Sequence, residues 1–241
     1  MNEVINMDAM KFLADAEPNS YDLIILDPNY EQWDLFIKDG IIEKSINVLK
    51  DSGNILCFTK QPFDYNLRIS VNKYFRREIV WTFENGGAWV SKQMPLVSFQ
   101  KIYWLVKSKD FFFNPRTGLN YSEGTRDFKR SEKVFGGYCE DGHYFEKSDE
   151  GIWLRDHLHY NKPNAGSIPQ KPKELIEIFI KCFCKPGGKV LDLFGGSGIV
   201  SLVARENRLD SVCTEIDTSR ADAITKKLED PVQMNIFDYF S

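Results

Sequence analysis

The stretch that decides the fold is Lys189-Val190-Leu191-Asp192-Leu193-Phe194-Gly195-Gly196-Ser197-Gly198. Its first half is apolar and β-prone, as in a buried strand, and its second half is a glycine-rich turn. Residues 199–207 follow it with the spacing of a helix. A strand that passes through a glycine loop into a helix is typical of sheets that bind an anionic ligand at the helix N-terminus. Glycine permits the tight turn and lets the ligand touch the backbone.

An acidic residue strengthens this interpretation. Glu215 ends the next predicted strand, residues 211–214. A carboxylate in that place can accept hydrogen bonds from both hydroxyls of a ribose, so the two features together indicate a nucleoside cofactor. A NAD site would suit the same features, and a purely structural turn is a further alternative. A Walker phosphate loop is excluded, because Gly187-Gly188-Lys189-Val190 lacks the required hydroxyl residue and spacing.

A second loop, Asp27-Pro28-Asn29-Tyr30, follows the continuous apolar run of residues 21–26. Such a run predicts a buried parallel strand, and open α/β sheets bind ligands at the carboxyl ends of their strands. Asp27 offers a carboxylate acceptor, Pro28 a carbonyl acceptor on a stiff backbone, and Tyr30 an aromatic face. Together they suit a planar aromatic amine. An ordinary turn would have the same composition.

Strands and helices alternate over most of the chain. The predicted strands are residues 3–6, 21–26, 54–59, 77–83, 101–106, 189–193 and 211–214. The predicted helices are residues 8–14, a segment from Ile41 to a stop at Asp51-Ser52-Gly53, a segment that starts at Pro172, and residues 199–207 and 219–228. This alternation predicts an α/β fold, a doubly wound and mostly parallel sheet with helices on both faces. The periodic spacing of apolar residues fades over 113–166, and we predict that this segment is an insertion carried by the sheet.

Composition narrows the class of protein. With 42% hydrophobic and 27% charged residues, the 241-residue chain can bury a sizeable core. No apolar run is long enough to span a membrane, and the N-terminus does not read as a signal peptide. The five cysteines stand at irregular spacings, which predicts a reducing, cytoplasmic compartment. The net charge of −4 does not indicate a nucleic-acid binder, but the basic excess over 101–133 suits a phosphate-facing surface or a solvated face.

Three motifs in order carry a resemblance to a known family. Asp27-Pro28-Asn29-Tyr30, then Gln170-Lys171-Pro172, then the glycine loop resemble the motifs of the DNA amino-methyltransferases that modify adenine N6 or cytosine N4. The catalytic motif comes first and the cofactor loop last, as in the permuted β class. Asn29 stands where the family usually has a second proline, Ser167 where it often has histidine, and Ile199 where threonine is common.

The resemblance implies a fold, a cofactor and a reaction. The fold would be the Rossmann-like sheet of S-adenosylmethionine-dependent methyltransferases, with 1–112 as the catalytic half, 113–166 as a target-recognition insertion and 167–241 as the cofactor-binding half. The reaction would be methylation of the N6 amine of adenine in DNA. Asp27 and the Pro28 carbonyl would accept the amine's N–H groups, and Tyr30 would stack on the flipped base. Aspartate in the first motif position favours adenine over cytosine N4, which remains the alternative.

The family's pattern also assigns the remaining site residues. Those expected at the cofactor are Asp8, Lys171, Asp192, Phe194, Gly195, Gly196, Ser197, Gly198 and Glu215, and those expected at the DNA are Trp81, Asn85, Trp89, Lys129, Arg130 and Lys133. Lys171 would reach the methionine carboxylate, or else be solvated. Trp81 and Trp89 would wall the base pocket, or else belong to the core. His157 and His159 form a close pair, but no spacing matches a zinc site, so we predict no metal.

The two ends of the chain resemble each other, either by chance, as short strand-turn segments can, or because they have related roles. Residues 5–13 align without gaps to residues 232–240, and Asp8 in the first copy corresponds to Asn235 in the second. In the family, a polar residue at such a strand end binds the adenine amine of the cofactor. The two segments would compete for one position beside the glycine-loop strand. We favour Asp8, because a carboxylate accepts more strongly than an amide.

Partners follow from the same resemblance. Double-stranded DNA is the expected substrate, while a homodimer and a cognate restriction enzyme are open as further partners. The expected location is the cytoplasm of a prokaryote or phage-infected cell, with the nucleoid. Other readings stay open: methylation of RNA adenine or of a glutamine side chain, a catalytically weak subunit that binds DNA, and a cofactor-binding oxidoreductase.

Neutralising Lys129, Arg130 and Lys133 together tests the basic stretch. We expect weaker binding to all DNA sequences alike and a flatter salt dependence, because phosphate contacts release counterions. Fluorescence anisotropy over a salt series measures both. An unchanged slope would place the phosphate surface elsewhere.

Overall fold

A computed structural model describes residues 1–28, 36, 38–84, 95–116, 153–163 and 169–230. The strands are β1 (Asn2–Asn6), β2 (Tyr21–Leu26), β3 (Leu49–Thr59), β4 (Phe75–Thr82), β5 (Phe99–Val106), β6 (His157–His159), β7 (Lys189–Asp192) and β8 (Asp210–Glu215). The helices are α1 (Ala9–Asp15), α2 (Ile41–Val48), α3 (Phe63–Ser70), α4 (Lys173–Phe183), α5 (Ile199–Glu206) and α6 (Thr218–Glu229). Predictions about Asn29, Tyr30, Asn85, Trp89, Lys129, Arg130, Lys133 and Asn235 lie outside the described residues.

All the strands of the described segments join one sheet in the order β1-β8-β7-β2-β3-β5-β4-β6. Neighbours from β1 to β3 are parallel, whereas β5 runs antiparallel to both β3 and β4. The pairing of β2 with β7 joins the first half of the chain to the last, with Leu23 opposite Val190 and Ile25 opposite Asp192. The predicted mostly parallel α/β sheet is therefore confirmed.

Each face of the sheet has its own core. Side chains of β2 alternate between them: Leu23 and Ile25 pack in the core under α4 and α5, and Ile24 and Leu26 in the core under α1, α2 and α3. Helix α4 contributes most to the first core, because its apolar residues Leu175, Ile176 and Phe179 repeat at helical spacing. Helices thus cover both faces, as expected.

The predicted boundary between the second helix and the next strand was wrong, and one helix was missed. Strand β3 begins at Leu49, not at Asn54, so Asp51-Ser52-Gly53 does not end the preceding helix but lies within the strand. The pairing shifts between Tyr21–Leu49 and Leu23–Asn54, and this irregularity accommodates the polar residues that read as a stop signal. Helix α3 was missed, because it buries only Asp64 and Leu67 and so shows no apolar stripe.

Parts of the predicted insertion are tied to the sheet. Strand β6 pairs in parallel with β4 and forms the sheet's edge. Farther back in the chain, the Phe112 N–H donates to the Ser52 carbonyl at 2.8 Å, and the Asn114 N–H donates to the Cys182 carbonyl at 2.8 Å. The chain around Asn114 and the described stretch that contains β6 are therefore both anchored on the sheet and its helices. Over the described residues, no helix is long and apolar enough to cross a membrane.

A buried amide joins three segments beneath the sheet. Asn54 is fully buried; its Nδ2 donates to the carbonyls of Phe112 at 2.7 Å and Phe183 at 2.8 Å, and its Oδ1 accepts from Trp104 Nε1 at 2.7 Å. Every polar atom of the amide is used, so one side chain satisfies groups from β5, α4 and the segment after β5.

Replacing Asn54 tests this connection. Asn54→Leu should lower the free energy of unfolding by about 3 kcal/mol, because it leaves buried carbonyls and an indole N–H unpaired. Urea denaturation of the variant, with the exposed Asn47→Ala as the control, measures the loss. Equal stability of the two variants would show that these groups find other partners.

Candidate active site

The two loops predicted to carry chemistry lie side by side at the carboxyl edge of the sheet. Strand β2 leads to Asp27 and Pro28, and its neighbour β7 leads to the glycine loop, 195–198. On the other side of β7, β8 ends at Glu215. Adjacent parallel strands that end at one edge bring these groups together, as the sequence predicted.

The glycines of the loop have different constraints. A Cβ on Gly195 would lie 2.5 Å from Cys213 Sγ, and one on Gly198 would lie 2.7 Å from Ile224 Cγ2, with φ at +79°. Gly196 has a φ of +50°, but a Cβ there would meet only the Phe194 carbonyl at 3.6 Å. Packing therefore requires glycine at 195 and 198, whereas Gly196 borders open space.

Glu215 braces the loop from the neighbouring strand. It is 7% exposed, and its Oε2 accepts from the Gly196 N–H at 2.8 Å while its Oε1 accepts from the Asp217 N–H at 2.9 Å. Each carboxylate oxygen has a second lone pair, so Glu215 can still accept from ligand hydroxyls. A role on a ribose stays a prediction that this geometry permits.

A cavity of about 210 Å³ opens between the loops. Its lining comes from the ends of β1, β2, β7 and β8 and comprises Met7, Asp8, Ala9, Asp27, Leu193, Phe194, Gly196, Thr214, Glu215, Ile216 and Arg220. Carboxylates and apolar side chains alternate around it. The predicted catalytic aspartate and the predicted cofactor loop thus share one cavity.

Asp8 lies in this lining and also caps α1. Its Oδ1 accepts from the N–H groups of Met10 at 3.0 Å and Lys11 at 3.1 Å. The expected position beside the glycine-loop strand was wrong, because β1 pairs with β8, which separates it from β7. Asn6 Nδ2 fixes the end of β1 by donating to the Glu215 carbonyl at 2.8 Å. Binding of a cofactor amine by Asp8 remains a prediction.

Lys171 forms an ion pair with Asp27 across the site. The lysine is 16% exposed and the aspartate 30% exposed. Lys171 Nζ also lies 4.7 Å from the ring centroid of Phe58 and 6.0 Å from that of Trp81. The sequence placed this lysine on a methionine carboxylate, which stays untested, but the geometry shows that it positions the Asp27 side chain.

Trp81 belongs to the core of the protein. It is 1% exposed, and its Nε1 donates to the Tyr160 carbonyl at 2.7 Å. Its ring packs against Phe58 and Phe83, and Lys171, the partner of Asp27, lies 6.0 Å from its centroid. The predicted wall of a base pocket remains a prediction for Trp81.

Asp192 is a buried carboxyl beneath the loops. It is 3% exposed, and its Oδ1 accepts from the Phe194 N–H at 3.1 Å. Burial raises the pKa of Asp192 to about 7, and the nearby carboxylates of Asp27 and Glu215 add to the effect. Because the folded-state value lies above the unfolded one, ionisation of this group costs stability as the pH rises through 7. A cation in the cavity would favour the ionised form.

Several residues at the site were not predicted. Ile216 is 66% exposed although it is apolar, and it lines the cavity next to Glu215 with Met7 and Arg220. An exposed apolar residue directly after a strand-end acid was a signal in the sequence. Phe58 and Lys162 gave no comparable signal, since their neighbours are set by strand pairing.

Comparison with known proteins agrees with this geometry. The model of the N6/N4 DNA methylases matches residues 20–226. The chain belongs to this family of DNA methylases. Its relatives include the type II methyltransferases M1.MboII of Moraxella bovis, 26% identical over 86% of this chain and 88% of the relative, and M.HpaI of Haemophilus parainfluenzae, 26% identical over 98% and 76%.

Solved structures share the methylase's fold. The M1.HpyAVI–SAM complex superposes with a TM-score of 0.64 at 17% identity, covering 95% of this chain and 100% of that one. The cytosine-N4-specific PvuII DNA methyltransferase superposes with a TM-score of 0.70 at 14% identity, covering 98% and 89%. At these identities the likeness concerns the fold, and the Rossmann-like architecture is confirmed.

The glycines offer a test of the cofactor site. Gly196→Ala should weaken S-adenosylmethionine binding at least about tenfold with a loss of stability of only about 1 kcal/mol, because its Cβ enters the cavity but not the core. Gly198→Ala should instead destabilise the fold, since its Cβ would overlap Ile224. Calorimetric titration and thermal unfolding separate the two effects. Unaltered affinity in Gly196→Ala would assign the loop a structural role alone.

Proposed function

We propose that this DNA methylase transfers a methyl group from S-adenosylmethionine to the N6 amine of adenine in double-stranded DNA. The observation that carries the proposal is the shared cavity: the Asp27 carboxylate and the glycine loop, at Gly196, line the same space. A methyl donor and an amine acceptor must meet within bonding reach, and adjacent strand ends provide that meeting point.

The residues of the cavity fit the cofactor. S-adenosylmethionine supplies an electrophilic methyl group on a positively charged sulfur. Glu215, which braces the glycine loop, would accept from the ribose hydroxyls, and the open space at Gly196 would admit the cofactor against the backbone. Ile216 and Met7 offer apolar surface to a purine ring. Glu215 supplies negative charge near the sulfonium, as does Asp192 when it is ionised, and this charge favours a cation over a neutral thioether, whereas the charge of Asp27 is balanced by Lys171.

The Asp27 loop would activate the amine. The N6 lone pair is delocalised into the purine ring, so the amine is a weak nucleophile. Hydrogen bonds from its two N–H groups to the Asp27 carboxylate and the Pro28 carbonyl favour a tetrahedral nitrogen whose lone pair points at the methyl carbon. The nitrogen–carbon bond forms as the carbon–sulfur bond breaks, sulfur keeps the electron pair, and one N–H proton leaves to Asp27 or water.

The target base has to leave the duplex. The Asp27 carboxylate lines the strand-end cavity and is only 30% exposed, so we expect that a base stacked inside a duplex does not reach it. We therefore include base flipping in the proposal. The aromatic face of Tyr30 would stack on the extruded base, and Asn29 would leave the loop less stiff than a second proline.

Asp27→Asn tests the assignment. The amide keeps the shape of the cavity that Asp27 shares with the cofactor loop, so S-adenosylmethionine affinity should stay nearly unchanged. The methylation rate should fall on the order of 100- to 1000-fold, because the charged acceptor is lost. The assay uses labelled S-adenosylmethionine with unmodified DNA and identifies the product by nucleoside digestion, with the 78% exposed Asp51→Asn as the control.

The products decide between the alternatives. Labelled N6-methyladenine that disappears in Asp27→Asn supports the proposal. Labelled N4-methylcytosine would replace adenine by cytosine as the substrate. Label on neither base, with the cofactor still bound, would mean that the chain is not a DNA methyltransferase by itself.

A further inference from the structure

Three aromatic rings form a row that continues from the Asp27 loop. Phe58, at the end of β3, meets Trp81 edge-on with 6.5 Å between centroids, and Trp81 lies 5.0 Å from Phe83. All three belong to the core on the α4 side of the sheet. We call Phe58, Trp81 and Phe83 the aromatic row.

A lysine lies above each end of this row. Lys171, the partner of Asp27, is above Phe58, and Lys162 Nζ is 3.8 Å from the centroid of Phe83. Burial lowers the pKa of Lys162, and the positive charges of Lys171 and Lys60 lower it further. Two ammonium groups from separate parts of the chain therefore lie over the two ends of one aromatic row, and one of them, Lys171, pairs with Asp27.

The backbone that carries Lys162 is fixed. The Tyr160 N–H donates to the Thr82 carbonyl at 3.1 Å, and the Tyr160 carbonyl accepts from Trp81 Nε1 at 2.7 Å. Asn161 Oδ1 accepts from the Glu84 N–H at 2.8 Å. The lysine is thus placed by the edge of the sheet, with its ammonium held over a ring instead of extended into solvent.

We propose that Lys162 binds the phosphodiester group of the nucleotide whose base enters the Asp27 pocket. The inference rests on the proposed function, because it needs a nucleotide in that pocket. A flipped nucleotide carries its phosphate out of the duplex with its base. An ammonium that is partly desolvated, and close to other ammonium groups, gains more from an anion than a solvated lysine does.

Lys162 and Lys171 would then have different roles in holding the nucleotide. Lys171 contacts the reacting loop through Asp27, and Lys162, at the far end of the aromatic row, is placed for the sugar–phosphate side. The base would lie toward Asp27 and its phosphate toward Phe83. This arrangement fixes the nucleotide at two points and leaves DNA sequence recognition to other residues, since a phosphate contact carries no sequence information.

A methylphosphonate scan tests the contact. Wild type and the variants Lys162→Gln, Lys162→Arg and the exposed control Lys226→Gln are titrated with DNA that has one neutral phosphate at each position around the target base. For Lys162→Gln we expect a slope of log K against log salt that is about 1 unit smaller than that of wild type, the effect of one phosphate contact. Lys162→Arg should keep the slope, as should Lys226→Gln.

The decisive measurement combines a methylphosphonate in the DNA with the Lys162→Gln substitution in the protein. One methylphosphonate next to the target should reduce the wild-type slope by about 1 unit, and should reduce it no further in Lys162→Gln. If the two changes add, or if Lys162→Gln binds every DNA with the wild-type slope, Lys162 serves only to cover Phe83 and the inference is wrong. If Lys162→Gln does not fold, the scan of the wild-type protein decides. The contact is overturned if no methylphosphonate next to the target base reduces the slope.

The proposed function fails in a different way. A wild-type chain that binds DNA and methylates adenine, but shows no coupling between Lys162 and a phosphate, overturns the present inference alone. A wild-type chain that transfers no label to DNA overturns both.

Discussion

The pairing of β2 with β7 is the interaction on which the site depends. Leu23, Ile24 and Ile25 are fully buried and pair with residues almost 170 positions later in the chain. Buried backbone groups must find hydrogen-bond partners, so strands that are apolar on both sides can be stable only in the middle of a sheet. The Asp27 loop and the glycine loop become neighbours because of this pairing.

Acidic and basic side chains occupy different parts of the site, although the chain as a whole is acidic. Asp27 and Glu215 line the cavity proposed for the cofactor and Asp192 is buried beneath the loops, whereas Lys171 and Lys162 lie over the two ends of the aromatic row. The ion pair of Lys171 with Asp27 marks the boundary between the two groups. A sulfonium cation and a phosphate anion could therefore bind a short distance apart without exchanging places. Net charge of the chain would not have revealed this separation.

Sequence reasoning succeeded where the signal was local. The apolar run of β2 coincides with the strand observed, and the glycine loop stands between a strand and a helix as expected. It failed where a polar segment was held by its partner: Asp51-Ser52-Gly53 resembles a stop signal, yet β3 passes through it because β2 pairs on either side. Helix α3 lacks an apolar stripe and left no pattern to detect.

Sequence patterns could not predict the contacts between residues that are distant in the chain. Lys171 was assigned to the cofactor because of its place in a motif, but its ion pair joins residues 144 positions apart. The position of Lys162 depends on β6, a three-residue strand at the edge of the sheet, whose histidines had been considered only as metal ligands. A strand this short has no periodicity, so only its pairing with β4 reveals it.

The order of the motifs along the chain matters little to this architecture. Strand β1 holds its place through β8, where Asn2 pairs with Ser211 and Asn6 with Glu215. The two halves are joined covalently only through the segment 113–166, so strand pairing and the buried Asn54 must hold them together. Because these contacts are fixed by the sheet and not by the connections, the Asp27 loop can precede the glycine loop in the chain while both still meet in one cavity.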